Sequence, residues 1–521
     1  VGKASKRQLS HCPRIRLGRT LALLAPLLIA IVILSPLLAA EDRRFHPDEA
    51  FFMTFAREAA VKGDWWLSGP LDKPPLTIYA HAALLAFIGT DTLPDGVLTL
   101  DPIKGEFVGR LLAFFSSLAV LALIMRLTLD LTRQPLVAVG AALSVTALPL
   151  YQLYSTSAFM DMPMLALALA ALLAARRQRT GASGVLLGLA ICAKPQAVLF
   201  APLVLWQAAR GHGIARFSAG AGGVLLLLWL WDALRPGDSV MLLGAANNDY
   251  FALVTQANAL LERLRAWLPA AHSANHRLVG YDDYLGPLLA WGVISVAGLL
   301  SRQTRALGVW LIAYSGGHLL VFDALYERYL LPVAVVGVMS LWAATAAWWR
   351  DHPKPPAWRM IRHRAASLLM LAGLAAWLAL ANGYHPRAAF DAHTYPPLWM
   401  LDDYRHDSPI VRIAEDLNAL PVATVVYDHW LGWLLNYYMG PWHNKRIVYY
   451  PSPDALIAGI RALDEPGPRY FLVPTDNAAR YGLSSQWSRD WQAWLYALQN
   501  SFQIEEVHGY GAIRLFRMAP N

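Results

Sequence analysis

A chain of 521 residues with 56% hydrophobic and only 15% charged side chains carries more apolar surface than a water-soluble core can bury, which excludes an ordinary soluble enzyme and makes the bilayer the expected solvent. The formal net charge of +8 would suit a nucleic-acid binder, but the basic residues cluster beside apolar runs as the positive-inside rule requires, so no nucleic-acid partner is expected. The two cysteines, Cys12 and Cys192, lack metal-ligand spacing and argue against a disulfide framework or a structural zinc.

In chain order, a basic tail (Lys3, Lys6, Arg7, Arg14, Arg16, Arg19) precedes an apolar run at 21–40. At roughly twenty residues this run is long enough to span and longer than a usual signal-peptide core, so it is read as the first transmembrane helix, with a cleaved signal peptide as the alternative. A long external loop follows at 41–106. Within it, 49–62 has the pattern of an interfacial helix, with Phe51, Phe52 and Phe55 on one side and Arg57, Glu58 and Lys62 elsewhere. The run 76–88 is apolar but short for a span. Counting it as a crossing would put Arg126 and Arg133 outside and invert everything downstream, so it is read as interfacial or re-entrant.

Further spans are expected to start near Phe107, Pro135, Pro163, Gly184, Pro195, Phe217, Leu285, Ala306, Tyr329 and Ala365. The basic clusters between them are Arg126 and Arg133; Arg176, Arg177 and Arg179; Arg210 and Arg216; Arg302 and Arg305; and Arg350, Lys354, Arg359, Arg362 and Arg364. If all are cytoplasmic the chain alternates cleanly, giving about eleven transmembrane helices, a cytoplasmic N-terminus and an external C-terminus. The stretch 185–206 is interrupted at Lys194-Pro195. A broken helix at membrane depth must be buried in protein or line a cavity, so Lys194 either faces a polar interior or snorkels to the outer interface. From about Gly383 the composition turns polar and aromatic, with strand-like runs at 423–427, 446–450, 470–473 and 512–516 and helical stretches at 410–420, 453–463 and 486–499. The expected architecture is an all-α polytopic membrane protein, residues 1–382, followed by a small α/β extracytoplasmic domain, residues 383–521.

Four constellations share the expected external side. His46-Pro47-Asp48-Glu49 follows the first helix; Asp48 is either a helix-start acid favoured by the dipole or a general base for a hydroxyl. Gly63-Asp64-Trp65-Trp66 and Asp72-Lys73-Pro74-Pro75 come next. The paired Trp suit an interfacial belt or a sugar platform, and Lys73, on a proline-stiffened backbone, is placed to grip a phosphate at headgroup level. In Ala158-Phe159-Met160-Asp161-Met162-Pro163, Asp161 lies at the membrane boundary, where an ionisable group is either functional or a helix cap. The last set is His318, Asp323, Glu327, Arg328, Tyr329 and Pro332. Arg328 enters a helix from outside, against the charge bias, which a phosphate partner or pairing with Glu327 or Asp323 would explain.

The order of Asp48-Glu49, Gly63 to Trp65, Lys73 to Leu76, Met160 to Pro163, Ala193 to Pro195 and Arg328 to Pro332 resembles lipid-carrier-dependent glycosyltransferases of the C-type (GT-C) fold. The nearest branch is that of the protein O-mannosyltransferases and the aminoarabinose transferase of lipid A. The resemblance covers about 21 to 349. It implies an inverting glycosyltransferase that moves a monosaccharide from a polyprenyl-phosphate carrier to an acceptor hydroxyl of a lipid, glycan or protein. It implies Asp48 as catalytic base, with Glu49 beside it, Asp161 as a second acid orienting acceptor or donor, and Lys73 as a contact to the donor phosphate, with Arg328 and Tyr329 as further phosphate candidates. Lys194 and His318 are additional candidates. No cofactor is expected and no metal is assigned, although a metal assists in parts of the wider fold. A plasma-membrane location is expected, and Val1 read as a GTG start would favour a bacterial inner membrane. Phe51 and Phe52 stand where the group often has Tyr, and Gln196 follows the Lys-Pro pair, which leaves acceptor contacts open. The competing readings are a transporter or flippase of a lipid-linked sugar, which would want intramembrane charges and repeat symmetry, and a non-catalytic membrane subunit.

Overall fold

A computed structural model describes residues 13–39, 44–209, 213–247, 260–261, 298–299, 301–321, 327–351, 409–429, 431–450, 452–462, 467–474, 485–510 and 513–520. The spans expected to start near Leu285 and Ala365, and the residue Asp323, lie outside the described residues.

The first helix, α1 (Pro13–Leu38), leads by way of 44–46 into α2 (Pro47–Arg57), whose last turn widens over Glu58–Lys62 and stops at Gly63 in the left-handed region. Helix α3 (Leu76–Leu84) widens likewise over Leu85–Gly89. These two short helices stand where the sequence pattern puts them, and neither is as long as a span requires. A two-stranded ribbon, β1 (Asp91–Thr92) with β2 (Leu98–Thr99), precedes α4 (Pro102–Thr132). Asp101 starts α4 by accepting from the Lys104 amide at 2.7 Å, and Pro102 supplies a first residue whose missing N–H costs nothing there. The helix therefore begins five residues before the apolar run that marked it at Phe107. Its 31 residues reach about 46 Å, more than the hydrocarbon core requires.

Around α4 pack α1, α5 (Pro135–Thr146) and α7 (Asp161–Arg176), with the short α6 (Pro149–Ser155) between the last two. The span expected from Pro135 is thus broken before Pro149. The Gln152 side-chain amide donates to the Thr146 carbonyl at 3.0 Å, supplying a partner at the break where intrahelical bonds are lost. Next come α8 (Thr180–Ala193), a tight turn at Pro195–Phe200, α9 (Ala201–Ala208), α10 (Gly213–Leu234) and α11 (Val240–Asn247). Helices α8 and α10 approach closely because glycines line the contact: a Cβ on Gly184 would overlap the Phe217 carbonyl, and one on Gly220 the Gly181 carbonyl. Helix α12 (Arg305–Val321), a tight turn at Glu327–Leu330 and α13 (Leu331–Asp351) follow among the described residues. Among the described residues three helices are long and apolar enough to cross a membrane, Pro102–Thr132, Gly213–Leu234 and Arg328–Ala347; Leu23–Leu38, Pro135–Thr146, Thr180–Ala193 and Pro195–Ala208 are shorter apolar helices.

The C-terminal part is an α/β unit: α14 (Pro409–Ala419), β3 (Val425–Tyr427), α15 (Trp433–Tyr438), β4 (Arg446–Val448), α16 (Pro453–Ala462), β5 (Arg469–Pro474), α17 (Ser485–Gln499), β6 (Phe502–Tyr510) and β7 (Ile513–Pro520). The sheet order is β4-β3-β5-β7-β6, with β3 parallel to β4 and β5, and β7 antiparallel to β5 and β6. Strand β6 carries no strand-like apolar run because it is a polar edge with a bulge between Glu506 and His508 and little buried beyond Phe502 and Tyr510.

Candidate active site

The approach to α2 sets the first acidic residue. His46 caps the helix: its Nδ1 accepts from the Asp48 amide at 3.0 Å, while the Glu49 Oε2 accepts from the His46 amide at 2.8 Å, a reciprocal box. Burial pushes the His46 imidazole down to about 3, so the ring is neutral at physiological pH, as an accepting Nδ1 requires. The other carboxylate oxygen of Glu49, Oε1, accepts from the Ala158 amide at 2.6 Å. Both oxygens of a nearly inaccessible side chain are thereby used by backbone donors 109 positions apart or in its own helix cap. Glu49 ties the start of α2 to the turn that precedes α7.

That turn carries Asp161, the first residue of α7. Its Oδ1 accepts from Lys194 Nζ at 2.6 Å. Lys194 sits at the break between α8 and Pro195, in extended backbone, so the interruption turns its ammonium inward rather than out to the interface. On the facing side, Arg328 Nη1 donates to Asp48 Oδ2 at 2.8 Å. The described partner of Arg328 is thus the carboxylate after the first helix, while Asp323 and the side chain of Glu327 lie outside the described residues. Asp48 lies in a recess walled by protein with one face open, its side chain 43% exposed, so an incoming hydroxyl can reach it. Enclosure alone would raise its pKa, but the Arg328 guanidinium, helped more weakly by Lys73, holds the carboxyl down at about 2.

Aromatic rings join the two ion pairs. The Arg328 guanidinium lies 4.9 Å from the centre of the Phe159 ring, and Phe159 also touches the His46 ring at 5.3 Å. The Lys194 ammonium lies 4.7 Å from the centre of the Tyr329 ring, and the His318 ring stacks with the same ring at 5.6 Å. The Tyr329 carbonyl accepts from Tyr314 Oη at 2.9 Å and Gln196 Nε2 at 3.1 Å, which fixes the turn bearing Arg328. Asp48, Glu49, Asp161, Lys194, His318, Arg328 and Tyr329 are therefore one connected set. Lys73 pairs with Asp72 at 2.8 Å, and its charge acts on Asp48. Phe159, Tyr314 and the side-chain role of Gln196 escape sequence reasoning. Gln196, two residues beyond the helix-breaking lysine, carried the one available signal. Among the described residues no three His, Cys, Asp or Glu side chains are gathered in a way that could hold a metal ion.

No family model and no curated protein matches the sequence. Solved structures do. ArnT from Cupriavidus metallidurans in the apo state aligns over 96% of this chain and 98% of its own, with a TM-score of 0.60 and 14% sequence identity. The same protein bound to undecaprenyl phosphate aligns over 96% and 97%, with a TM-score of 0.56 and 15% identity. The chain has the GT-C fold that its motif order resembles.

Proposed function

We propose that this protein is an inverting glycosyltransferase that moves a monosaccharide from a polyprenyl-phosphate carrier to an acceptor hydroxyl on the extracytoplasmic face of a plasma membrane. The observation that carries the reading is the pairing of two juxtamembrane carboxylates with two cations, Asp48 with Arg328 and Asp161 with Lys194, across shared aromatic rings. Such a site keeps each enclosed charge paired while it gathers cations that can meet a phosphodiester beside an acid. A solved protein of this fold binds undecaprenyl phosphate, which supports a carrier of that chemistry here.

In the proposed reaction the acceptor oxygen attacks the anomeric carbon while the bond from that carbon to the phosphate oxygen breaks. Asp48 takes the hydroxyl proton, and the carrier leaves as a phosphate monoester. Negative charge grows on the departing phosphate, where Arg328, Lys73 and the Tyr329 hydroxyl would stabilise it. Asp161, locked by Lys194, would orient the reacting groups. One direct displacement inverts the anomeric centre. No nucleotide is needed at the site, and no cofactor is invoked. In purified protein supplied with a polyprenyl-phosphate sugar, Asp48→Asn is expected to lower turnover by roughly 10²- to 10⁴-fold, the usual contribution of a general base. Unchanged turnover would remove Asp48 from that role.

A further inference from the structure

The C-terminal α/β unit meets the helical part through α15, which packs along α2. Phe51 and Phe55 lie against Trp433, with ring centres 4.9 and 5.3 Å away. The buried Arg57 donates to the carbonyls of Asn436 and Tyr437, at 3.1 and 2.7 Å, in the last turn of α15, where a cation is favoured. Tyr438 reaches further. Its hydroxyl accepts from the Phe45 amide at 2.8 Å, three residues before Asp48, and donates to Glu106 Oε1. The second oxygen of Glu106 accepts from Arg44 Nη1 at 2.7 Å. Arg44, Phe45, Glu106 and Tyr438 are all buried, so water offers none of these groups a substitute partner. Tyr437, the neighbour, serves a different point: its hydroxyl donates to the Pro102 carbonyl at the start of α4.

We propose that the C-terminal unit is a positioning part of the reaction centre, with Tyr438 fixing the backbone that carries Asp48. This rests on the reading of Asp48 as the base. The short chain 44–46 approaches α2 between two anchors, the Tyr438 hydroxyl at Phe45 and the Glu49 tie to Ala158. Rotation of α2 about this segment would move Asp48 relative to Asp161. The Tyr438 hydroxyl bonds the Phe45 amide and Glu106, on the approach to α2, so its effect falls on the geometry of attack rather than on retention of the donor phosphate. A displacement of about 1 Å at a reacting group is enough to cost up to about a hundredfold in rate.

The test compares Tyr438→Phe with Tyr437→Phe in the full-length protein in lipid nanodiscs. Both remove one hydroxyl from the same helix and both keep the ring. Tyr438→Phe is expected to lower kcat by about ten- to a hundredfold with the KM for the lipid-linked donor changed by less than about twofold. It is also expected to speed amide hydrogen exchange in the peptide covering 44–49. Tyr437→Phe should change neither. Equal losses in both variants, unchanged kcat and exchange in Tyr438→Phe, or faster exchange with full kcat would each overturn the proposal. If the unsubstituted protein transfers no sugar, the donor reading falls, and the exchange comparison alone decides whether Tyr438 holds the segment.

Discussion

Asp48 and Asp161 carry the same charge into different surroundings. Asp161 is enclosed and held by a lysine at 2.6 Å, whereas Asp48 keeps an open face while Arg328 holds it at 2.8 Å. That difference suits one acid for orienting and the other for accepting a proton. Arg328 is also the cation proposed to meet the donor phosphate, so a phosphate that engages it would loosen its hold on Asp48 and strengthen the base as the donor arrives. The pH dependence follows from the direction of the shift. The folded value of Asp48, about 2, lies below the ordinary carboxylate value of about 3.9, so its contribution to stability is present above that value and is lost as the pH falls through 2. The acid limb of kcat/KM due to Asp48 is therefore expected well below pH 4, and Arg328→Gln is expected to move it to higher pH. A limb that stays in place in that variant would mean that Arg328 does not set the basicity of Asp48. Glu49 illustrates what sequence cannot separate. Adjacent to Asp48 in the chain, it looks like a second reactive acid, yet its two oxygens are engaged by backbone amides.

Helix breaks, more than helices, build this site. Lys194 turns inward because the chain leaves α8 in extended backbone before Pro195, and Asp161 begins α7 because α6 and its turn return the chain there. The break at Lys194-Pro195 was legible as an interruption of an apolar run, whereas the one before Pro149 was not. Nor were the ion-pair partners: Arg328 lies 280 positions from Asp48, and Lys194 lies 33 from Asp161, separations that no helical or strand period relates. The secondary structure of the C-terminal unit was legible where strands are apolar, at Val425–Tyr427 and Arg469–Pro474, and not at the polar edge strand Phe502–Tyr510. Close helix contact makes its own prediction. Gly184→Ala places a methyl group on the Phe217 carbonyl, backbone that cannot step aside, and is expected to destabilise by about 1–3 kcal/mol through overpacking. Thermal unfolding in detergent would register this as a lower midpoint, while Gly222→Ala, facing open space, should leave the midpoint in place.

Across the whole molecule, a helical body with the GT-C fold and a C-terminal α/β unit meet over the first loop. The loop's two short helices bring Asp48 to one end of the long α4, and the broken helices bring Asp161, Lys194 and Arg328 to the same place. Charge counting gave the expectation that Asp48, Lys73, Asp161 and Arg328 share a side and left the place of Lys194 open. It could not anticipate that the C-terminal unit reaches to within three residues of Asp48, since aromatic residues such as Tyr438 signal burial but not its location. The most direct measurement gives the purified protein, in nanodiscs, a polyprenyl-phosphate monosaccharide of known anomeric configuration with an envelope extract as acceptor, and reads the anomeric configuration of the transferred sugar by NMR. Transfer with inversion, accompanied by release of polyprenyl phosphate, is the predicted result. Transfer with retention, or movement of the intact lipid-linked sugar across the bilayer without cleavage, would contradict the account.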